Sequence, residues 1–262
     1  VLLLAPKEGL FLSELLEQTK ASSGTIKALV DKGLLAMEKV RLDDNPFDDY
    51  FKTKPKILRD EQKAALDKIA LSLQKRTFET HLLFGITGSG KTEVYLQAID
   101  KALENGQGVI LLVPEIALTQ QTIQHFKSRF DVPLAVLHHR ISDGERMQTW
   151  RDIQSGVAKI CIGARSAVFA PIENLGLIVV DEEHDTSYKQ QEGLRYSARD
   201  LALWRAKQRN IPVVLGSATP SLETWWRAEQ TATTRLTLSQ RAQAEAVLPR
   251  VSLIDLNLER RA

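Results

Sequence analysis

Apolar positions along the chain fall into two textures that change near residue 57. In the front part Leu10, Leu15 and Leu16 recur at helical spacing behind Ser13, and Ile26, Leu29 and Val30 do so behind Ser23. Serine caps before each run and Gly33 after the second predict two short helices. Helix, SSGT turn, helix and Gly-Leu-Leu together form the pattern of a small helix-turn-helix or winged-helix-like unit. LDDNPFDDYFKTKPK (42–56) carries two prolines and no period, and predicts a linker. From Ile57 onward a helix is predicted over 59–74. Short apolar runs follow at 81–86, 109–113, 134–137, 160–163, 177–180 and 213–216. Amphipathic segments begin between them near Gly90, Glu115, Asp143 and Ser197. Continuous apolar strands separated by helices predict an α/β domain, a mostly parallel sheet with flanking helices on both faces. The expected division is a winged-helix-like domain at 1–44, a linker at 45–56, one α/β lobe at 57–235, and a C-terminal extension of unassigned fold at 236–262.

Composition narrows this picture only in places. Hydrophobic residues at 43% and charged residues at 26% are ordinary for a soluble globular protein. No apolar run approaches the roughly 18 residues that span a bilayer. VLLL at the start is followed at once by Pro6, Lys7 and Glu8, unlike a signal peptide. The lone cysteine, Cys161, excludes an internal disulfide framework and a multi-cysteine zinc site, and a cytoplasmic location is expected. A chain opening on Val1 is expected to be a piece of something longer. The net charge of +2 is uninformative, but its distribution is not. Residues 1–50 carry six Lys/Arg against nine Asp/Glu, residues 51–80 eight against four, and the rest 21 against 20. An acidic front section cannot hold a phosphate backbone by bulk electrostatics. Its second helix offers only Lys27 and Lys32, so packing is expected of it more than direct reading of DNA.

GITGSGKT (85–92) matches the phosphate-loop pattern G-x-x-x-x-G-K-[ST] in the context its mechanism requires. The apolar strand HLLF leads in, and a helix containing Val94, Leu96 and Ile99 leads out. Gly85, Gly88 and Gly90, with Thr87 and Ser89 between them, let backbone N–H groups turn inward around phosphates at a helix N-terminus. Lys91 would bridge the β- and γ-phosphates of ATP, and the Thr92 hydroxyl would ligate Mg²⁺. A chance glycine turn before Lys-Thr would lack the strand and the helix.

LIVVDEEH (177–184) places carboxylates just beyond a second apolar strand. Asp181 is expected to hold Mg²⁺ through water together with Thr92, and Glu182 to orient or deprotonate the attacking water. A solvated acidic run is the ordinary alternative, but the apolar lead-in and the upstream phosphate loop argue for chemistry. Glu183 receives no role. GSATPS (216–221) follows another apolar run. Its Ser217 and Thr219 hydroxyls can exchange hydrogen bonds with the DEEH loop, while Ser221 can cap the next helix.

Phosphate loop, DEEH and SAT on successive strands resemble the first RecA-like lobe of superfamily 2 helicases. LLVPEIALTQQ (111–121), IGARSAVFAPI (162–172) and VVDEEHDTSYKQQEGLRYSARD (179–200) narrow this to the bacterial primosomal helicases that restart stalled replication forks. The resemblance covers essentially everything from Ile57 to Ser221, and the front section resembles that family's winged-helix domain. It implies ATP/ADP and Mg²⁺ as ligands. In ILRDEQ (57–62) it implies that Gln62 reads the adenine edge with Arg59 nearby. It places single-stranded DNA near Thr119, Gln120, Arg165 and Ser166. Tyr188, Lys189, Arg195, Tyr196 and Arg199 resemble the aromatic-rich loop that couples DNA binding to hydrolysis. Aromatic faces interleaved with cations around Gly193 suit sequence-independent stacking, although a solvated surface loop reads the same way. His184 is either a relay to this loop or an ordinary hydrogen-bonded histidine.

The resemblance further implies forked DNA, the primosome proteins PriB and DnaT, and single-stranded-DNA-binding protein as partners. It also implies 3′-to-5′ movement and a monomeric motor without membrane contact. A second lobe with its arginines and a zinc-binding cysteine cluster are expected only in the parent protein. The chain by itself is therefore expected to bind ATP, hydrolyse it slowly and unwind nothing. Two alternatives remain at this point: a lobe of a double-stranded DNA translocase, and a non-catalytic nucleotide- or partner-binding module.

Overall fold

The computed structural model describes residues 20, 23–35, 53–138, 141–230 and 232–242. The chain divides into two compact units, Val1–Phe47 and Asp48–Ala262. In the first, α1 (Ser23–Asp31) ends as the sequence predicts. Gly33 adopts a left-handed φ of 68°, and the Leu34 N–H returns to Leu29 O. The helix expected behind Ser13 and the rest of the winged-helix-like unit lie outside the described residues.

The second unit is built on a seven-stranded, all-parallel sheet. Its strands are β1 (Thr80–Gly85), β2 (Gly108–Leu112), β3 (Leu134–Leu137), β4 (Ile160–Gly163), β5 (Leu175–Val180), β8 (Val213–Ser217) and β9 (Thr234–Leu238), in the order β3-β4-β2-β5-β8-β1-β9. A two-stranded antiparallel ribbon, β6 (Lys189–Gln190) with β7 (Tyr196–Ser197), stands apart from it. The helices are α2 (Asp60–Lys75), α3 (Lys91–Glu104), α4 (Gln120–Lys127), α5 (Asp143–Gln154), α6 (Ala198–Arg209) and α7 (Leu222–Glu229).

Why the strands read as unbroken apolar runs is visible in the two core layers. Successive side chains point to opposite faces. Val109 and Leu111 of β2, with Leu177 and Val179 of β5, therefore join one layer under α2, α3 and α4. Ile110, Leu112, Ile178 and Val180 join the other, against α5, α6 and Tyr188. Both faces are covered, as parallel sheets require. Thr119, Ser142, Ser197 and Ser221 each accept from the backbone N–H three residues on in the first turn of a helix, Ser221 as the sequence reading expects. The segment expected near Glu115 opens as a 3-10 turn, and its α-helix begins only at Gln120.

Two boundaries differ from expectation. The lobe does not stop at residue 235: β9 runs on to Leu238 and pairs along the whole of β1, from His81 with Thr234 to Gly85 with Leu238. Leu236 and Leu238 are buried in the α2/α3 layer. The expected linker also ends early. The Thr53 N–H donates to Ser128 O at 2.9 Å, and Lys56 is held through Glu93 and Gln97 of α3. Cys161 is fully buried in β4, where burial pushes its thiol up to about 12 and leaves it a core residue.

Leu236→Ala is expected to lower the unfolding free energy by about 2–5 kcal/mol in a denaturant titration; an unchanged midpoint would detach β9 from the core. His81 gives a pH test. It is buried beside Ser72, and burial lowers its pKa to about 4 despite Glu79. The unfolded imidazole takes up a proton near pH 6.5, so its neutral burial stabilises above that pH and is lost as pH falls toward 4. Stability should drop across that window more steeply than in His81→Gln.

Candidate nucleotide and nucleic-acid site

β1 delivers the chain into the phosphate loop at the C-terminal edge of the sheet. Gly88 and Gly90 sit at φ 79° and 83°, a region that L side chains enter only with strain. A β-carbon on Gly90 would also meet the Gln62 amide. The Lys91 side chain is 9% exposed; its ammonium donates to Gly85 O at 3.0 Å and lies 3.7 Å from Glu182 Oε1. Gln62 lies inside the first turn of α2. Its amide donates to Ser89 O at 2.9 Å and accepts from the Arg59 N–H at 2.9 Å, so it ties the helix start to the phosphate loop.

Three consecutive carboxylates leave β5 in three directions. Asp181 accepts from the Tyr95 phenol at 3.0 Å, and its backbone N–H bonds Leu112 O. Tyr95 lies one turn beyond Lys91 on α3, and only the absence of a β-carbon at Gly216 lets its phenol pass. Burial, and then the Glu182 charge, push the Asp181 carboxyl above the usual carboxylate range, against the pull of Tyr95 and Lys91. Glu182 takes a left-handed φ of 42°, which costs about 1–2 kcal/mol for an L-residue. That turn aims Glu182 at Lys91. It turns Glu183 into the protein, where the side chain is sealed from solvent. There Glu183 accepts from the Ser221 N–H (2.7 Å), Ser221 Oγ (3.1 Å), Thr224 Oγ1 (2.9 Å) and Arg199 Nη1 (3.1 Å). Glu183 and Tyr95 are residues of this arrangement to which the sequence reading gave no role; for Glu183 the one signal was the Ser221-x-x-Thr224 cap that meets it.

His184 and the SAT turn meet as expected. His184 Nδ1 lies 2.8 Å from Ser217 Oγ, its Nε2 lies 3.4 Å from Thr219 Oγ1, and Ser217 Oγ accepts from the Thr219 N–H. His184 Nδ1 is also 3.7 Å from Glu182 Oε2, so one imidazole touches both the acidic loop and the SAT turn.

The loop after DEEH departs from the expected stacking surface at two positions. Tyr188 is 2% exposed, and its phenol donates to Asp181 O at 2.6 Å. A ring packed into the core presents no face to a base, so its contact is with the acidic loop. Arg199 is spent on Glu183, Ser221 and Asp200 and is not a free cation for phosphate. Tyr196 packs edge-on against Phe169 at 5.1 Å between ring centres. Lys189 and Arg195 are exposed, as are Thr119, Gln120 and Ser166; Arg165 is half-buried. Arg205 of α6 donates to Val168 O and Ala170 O, pinning the turn that carries Arg165 and Ser166.

The residues fit a nucleotide with its Mg²⁺. The buried Ser89 Oγ has no partner among the described residues, although it sits in the phosphate loop. Thr92 and Asp181 line one cavity of about 620 Å³. No cluster of three or more His, Cys, Asp or Glu that could hold a metal occurs among the described residues. One carboxylate and one hydroxyl suit a Mg²⁺ that takes its other oxygens from phosphates and water. Among the described residues no helix is long and apolar enough to cross a membrane.

Removing Glu183 leaves the Arg199 guanidinium without its buried partner. Glu183→Ala is expected to cost about 3–5 kcal/mol of stability, measured by chemical denaturation, with Glu183→Gln milder. A loss below about 1 kcal/mol would mean that the knot is not holding the site together.

The family described as DEAD/DEAH box helicase matches residues 59–225. The replication restart protein PriA of Bacillus subtilis is 47% identical over 251 residues, covering 95% of this chain and 31% of that protein. Its namesake from Chlamydia pneumoniae is 50% identical over 253 residues, covering 95% and 34%. The chain thus spans about a third of the length of the curated relatives it matches. Among solved structures, RecG bound to a three-way DNA junction superposes with a TM-score of 0.54 at 23% identity, covering 73% of this chain and 25% of that one. The Pyrococcus furiosus Hef helicase domain superposes at 0.50 and 22% identity, covering 69% and 37%. Both share the fold. The family match runs from α2 into α7 and encloses the phosphate loop with its facing carboxylates, and the chain therefore belongs to the DEAD/DEAH box helicase family.

Proposed function

We propose that this chain is the nucleotide-binding first motor lobe of an ATP-dependent DNA helicase that acts in replication restart. The observation that carries the reading is the buried Lys91 ammonium, held between the phosphate-loop carbonyl of Gly85 and the Glu182 carboxylate. A lysine so placed is the counter-charge for a terminal phosphate, and the adjacent carboxylate is the acceptor for a water proton. The similarity to PriA along 95% of the chain supports replication restart as the setting.

In this reading the phosphate-loop N–H groups and Lys91 hold the triphosphate. Glu182 orients the attacking water and accepts its proton at a carboxylate oxygen. Mg²⁺, when bound, supplies charge neutralisation for the phosphates, with Thr92 and Asp181 as its side-chain contacts. Tyr95 and Tyr188 fix Asp181 from its carboxylate and carbonyl ends, and burial and the nearby carboxylates keep both phenols protonated donors. His184 bridges Glu182 to the SAT turn. Single-stranded DNA would cross the exposed Thr119, Gln120, Ser166, Lys189 and Arg195, with Arg165 beside them. Its presence would be felt at Asp181 through Tyr188, and at Glu183 through Arg199. Forked DNA, PriB, DnaT and single-stranded-DNA-binding protein belong to this proposal as partners of the longer protein, and zinc as its structural metal. The arginines of a second lobe would complete the γ-phosphate site, so hydrolysis by the chain alone is proposed to be slow.

Lys91→Ala is expected to weaken ATP binding by the chain about tenfold or more in titration calorimetry. In the longer parent protein, Glu182→Gln should cut DNA-stimulated hydrolysis by about 10²–10⁴ while ATP still binds. A DNA-stimulated rate that survives either change would exclude the motor reading.

A further inference from the structure

Tyr95, one turn beyond Lys91 on α3, is 1% exposed, and its phenol donates to Asp181 Oδ1 at 3.0 Å. Gly216 of β8 has no β-carbon, and one there would overlap the phenol oxygen. The phenol is thus enclosed between α3, the end of β5 and β8, and its hydrogen bond to Asp181 does not depend on a mobile side chain. Asp181 is fixed at its backbone as well. Its N–H donates to Leu112 O at 2.9 Å, and its carbonyl accepts from the Tyr188 phenol at 2.6 Å. A carboxylate pinned at its backbone and at Oδ1 cannot turn both oxygens toward one ion. Oδ2 remains for a metal, or for a water on that metal.

The geometry points to Tyr95 as the residue that makes this site favour Mg²⁺ over Ca²⁺, by leaving Asp181 a single oxygen for the ion. This rests on the nucleotide-binding reading of the phosphate loop and adds to it the selectivity for the metal. Mg²⁺ demands a near-octahedral set of oxygens and keeps several waters. Ca²⁺ takes roughly six to eight oxygens and gains two at once from a bidentate carboxylate. A carboxylate held to one oxygen meets the first demand and fails the second. The surroundings offer Ca²⁺ little in exchange. The cavity that Thr92, Tyr95 and Asp181 share is walled by the apolar Leu111, Val113 and Phe126. Glu182 is turned to Lys91, and Glu183 is committed to Arg199. Among the described residues no cluster of three or more His, Cys, Asp or Glu could complete a larger coordination shell. Buried behind Asp181, Tyr95 acts through that carboxylate and is a positioning residue; Gly216 gives it room to do so.

The test is titration calorimetry of the chain with ATP in the presence of Mg²⁺, of Ca²⁺, and of EDTA with neither ion, on the unaltered chain, Tyr95→Phe and Asp181→Asn. The unaltered chain should bind ATP more tightly with Mg²⁺ than with Ca²⁺. Tyr95→Phe keeps the ring and removes only the donor, so Asp181 regains its second oxygen. It should weaken Mg-ATP binding about tenfold or more, as loss of a hydrogen-bond partner to a metal ligand does, with no matching loss for Ca-ATP or metal-free ATP. In Asp181→Asn the preference between the ions should disappear as well. Equal affinity with the two ions in the unaltered chain, or a preference for Mg²⁺ that survives either change, would overturn the assignment with the nucleotide site intact. So would a loss in Tyr95→Phe that is the same under all three conditions, which would make Tyr95 a packing residue only. Failure of the unaltered chain to bind ATP under any condition would overturn the phosphate-site reading itself, and the metal assignment with it.

Discussion

A carboxylate removed from water must be answered by donors, and Glu183 is where this fold answers it. Its four donors come from α6, from the cap of α7 and from α7 itself. These segments are far apart in sequence, and satisfying one buried charge brings them to the end of β5. An uncompensated carboxylate in such a place costs several kcal/mol, so the contacts form together or the loop takes another path. With Glu183 anchored inward and its N–H on Gly216 O, the chain reverses at Glu182 in a left-handed conformation. The reversal is what leaves Glu182 facing Lys91 and Asp181 facing Tyr95.

The parallel sheet supplies the frame for that arrangement. β1 and β5 both end at the same edge, with β8 between them. The phosphate loop after β1, the carboxylates after β5 and the SAT turn after β8 therefore emerge side by side. This is the crevice at the carboxyl ends of parallel strands where ligands of α/β sheets bind. β9 adds to the far side of β1 and carries the exit segment beneath the phosphate loop. The loop is thereby touched from α2 through Gln62, from the carboxylates through Lys91, and from the exit segment through Ala242.

Much of this was legible in the residues because the relevant physics is local. Strands buried on both faces must be apolar throughout, and six were visible as such. The phosphate loop was legible because its glycines meet a backbone requirement that no other residue meets cheaply. Asp181 and Glu182 were legible from their place after an apolar strand. Glu183 was not, because three adjacent acids look alike until φ at Glu182 separates them. Tyr188 resembled a stacking aromatic among cations, but whether a loop ring faces solvent or core depends on packing with α6 and the sheet. β9 was missed because an edge strand with Thr and Arg between its leucines alternates, where its neighbours run unbroken.

On the proposed reading, a nucleotide held at the phosphate loop would be felt at the acidic loop through Glu182 and at the SAT turn through His184. Amide hydrogen exchange of the chain with and without Mg-ATP measures this directly. Slowed exchange is expected together at residues 86–92, 182–185 and 217–221, with the core strands unchanged. Protection confined to the phosphate loop, or found nowhere among these segments, would contradict it.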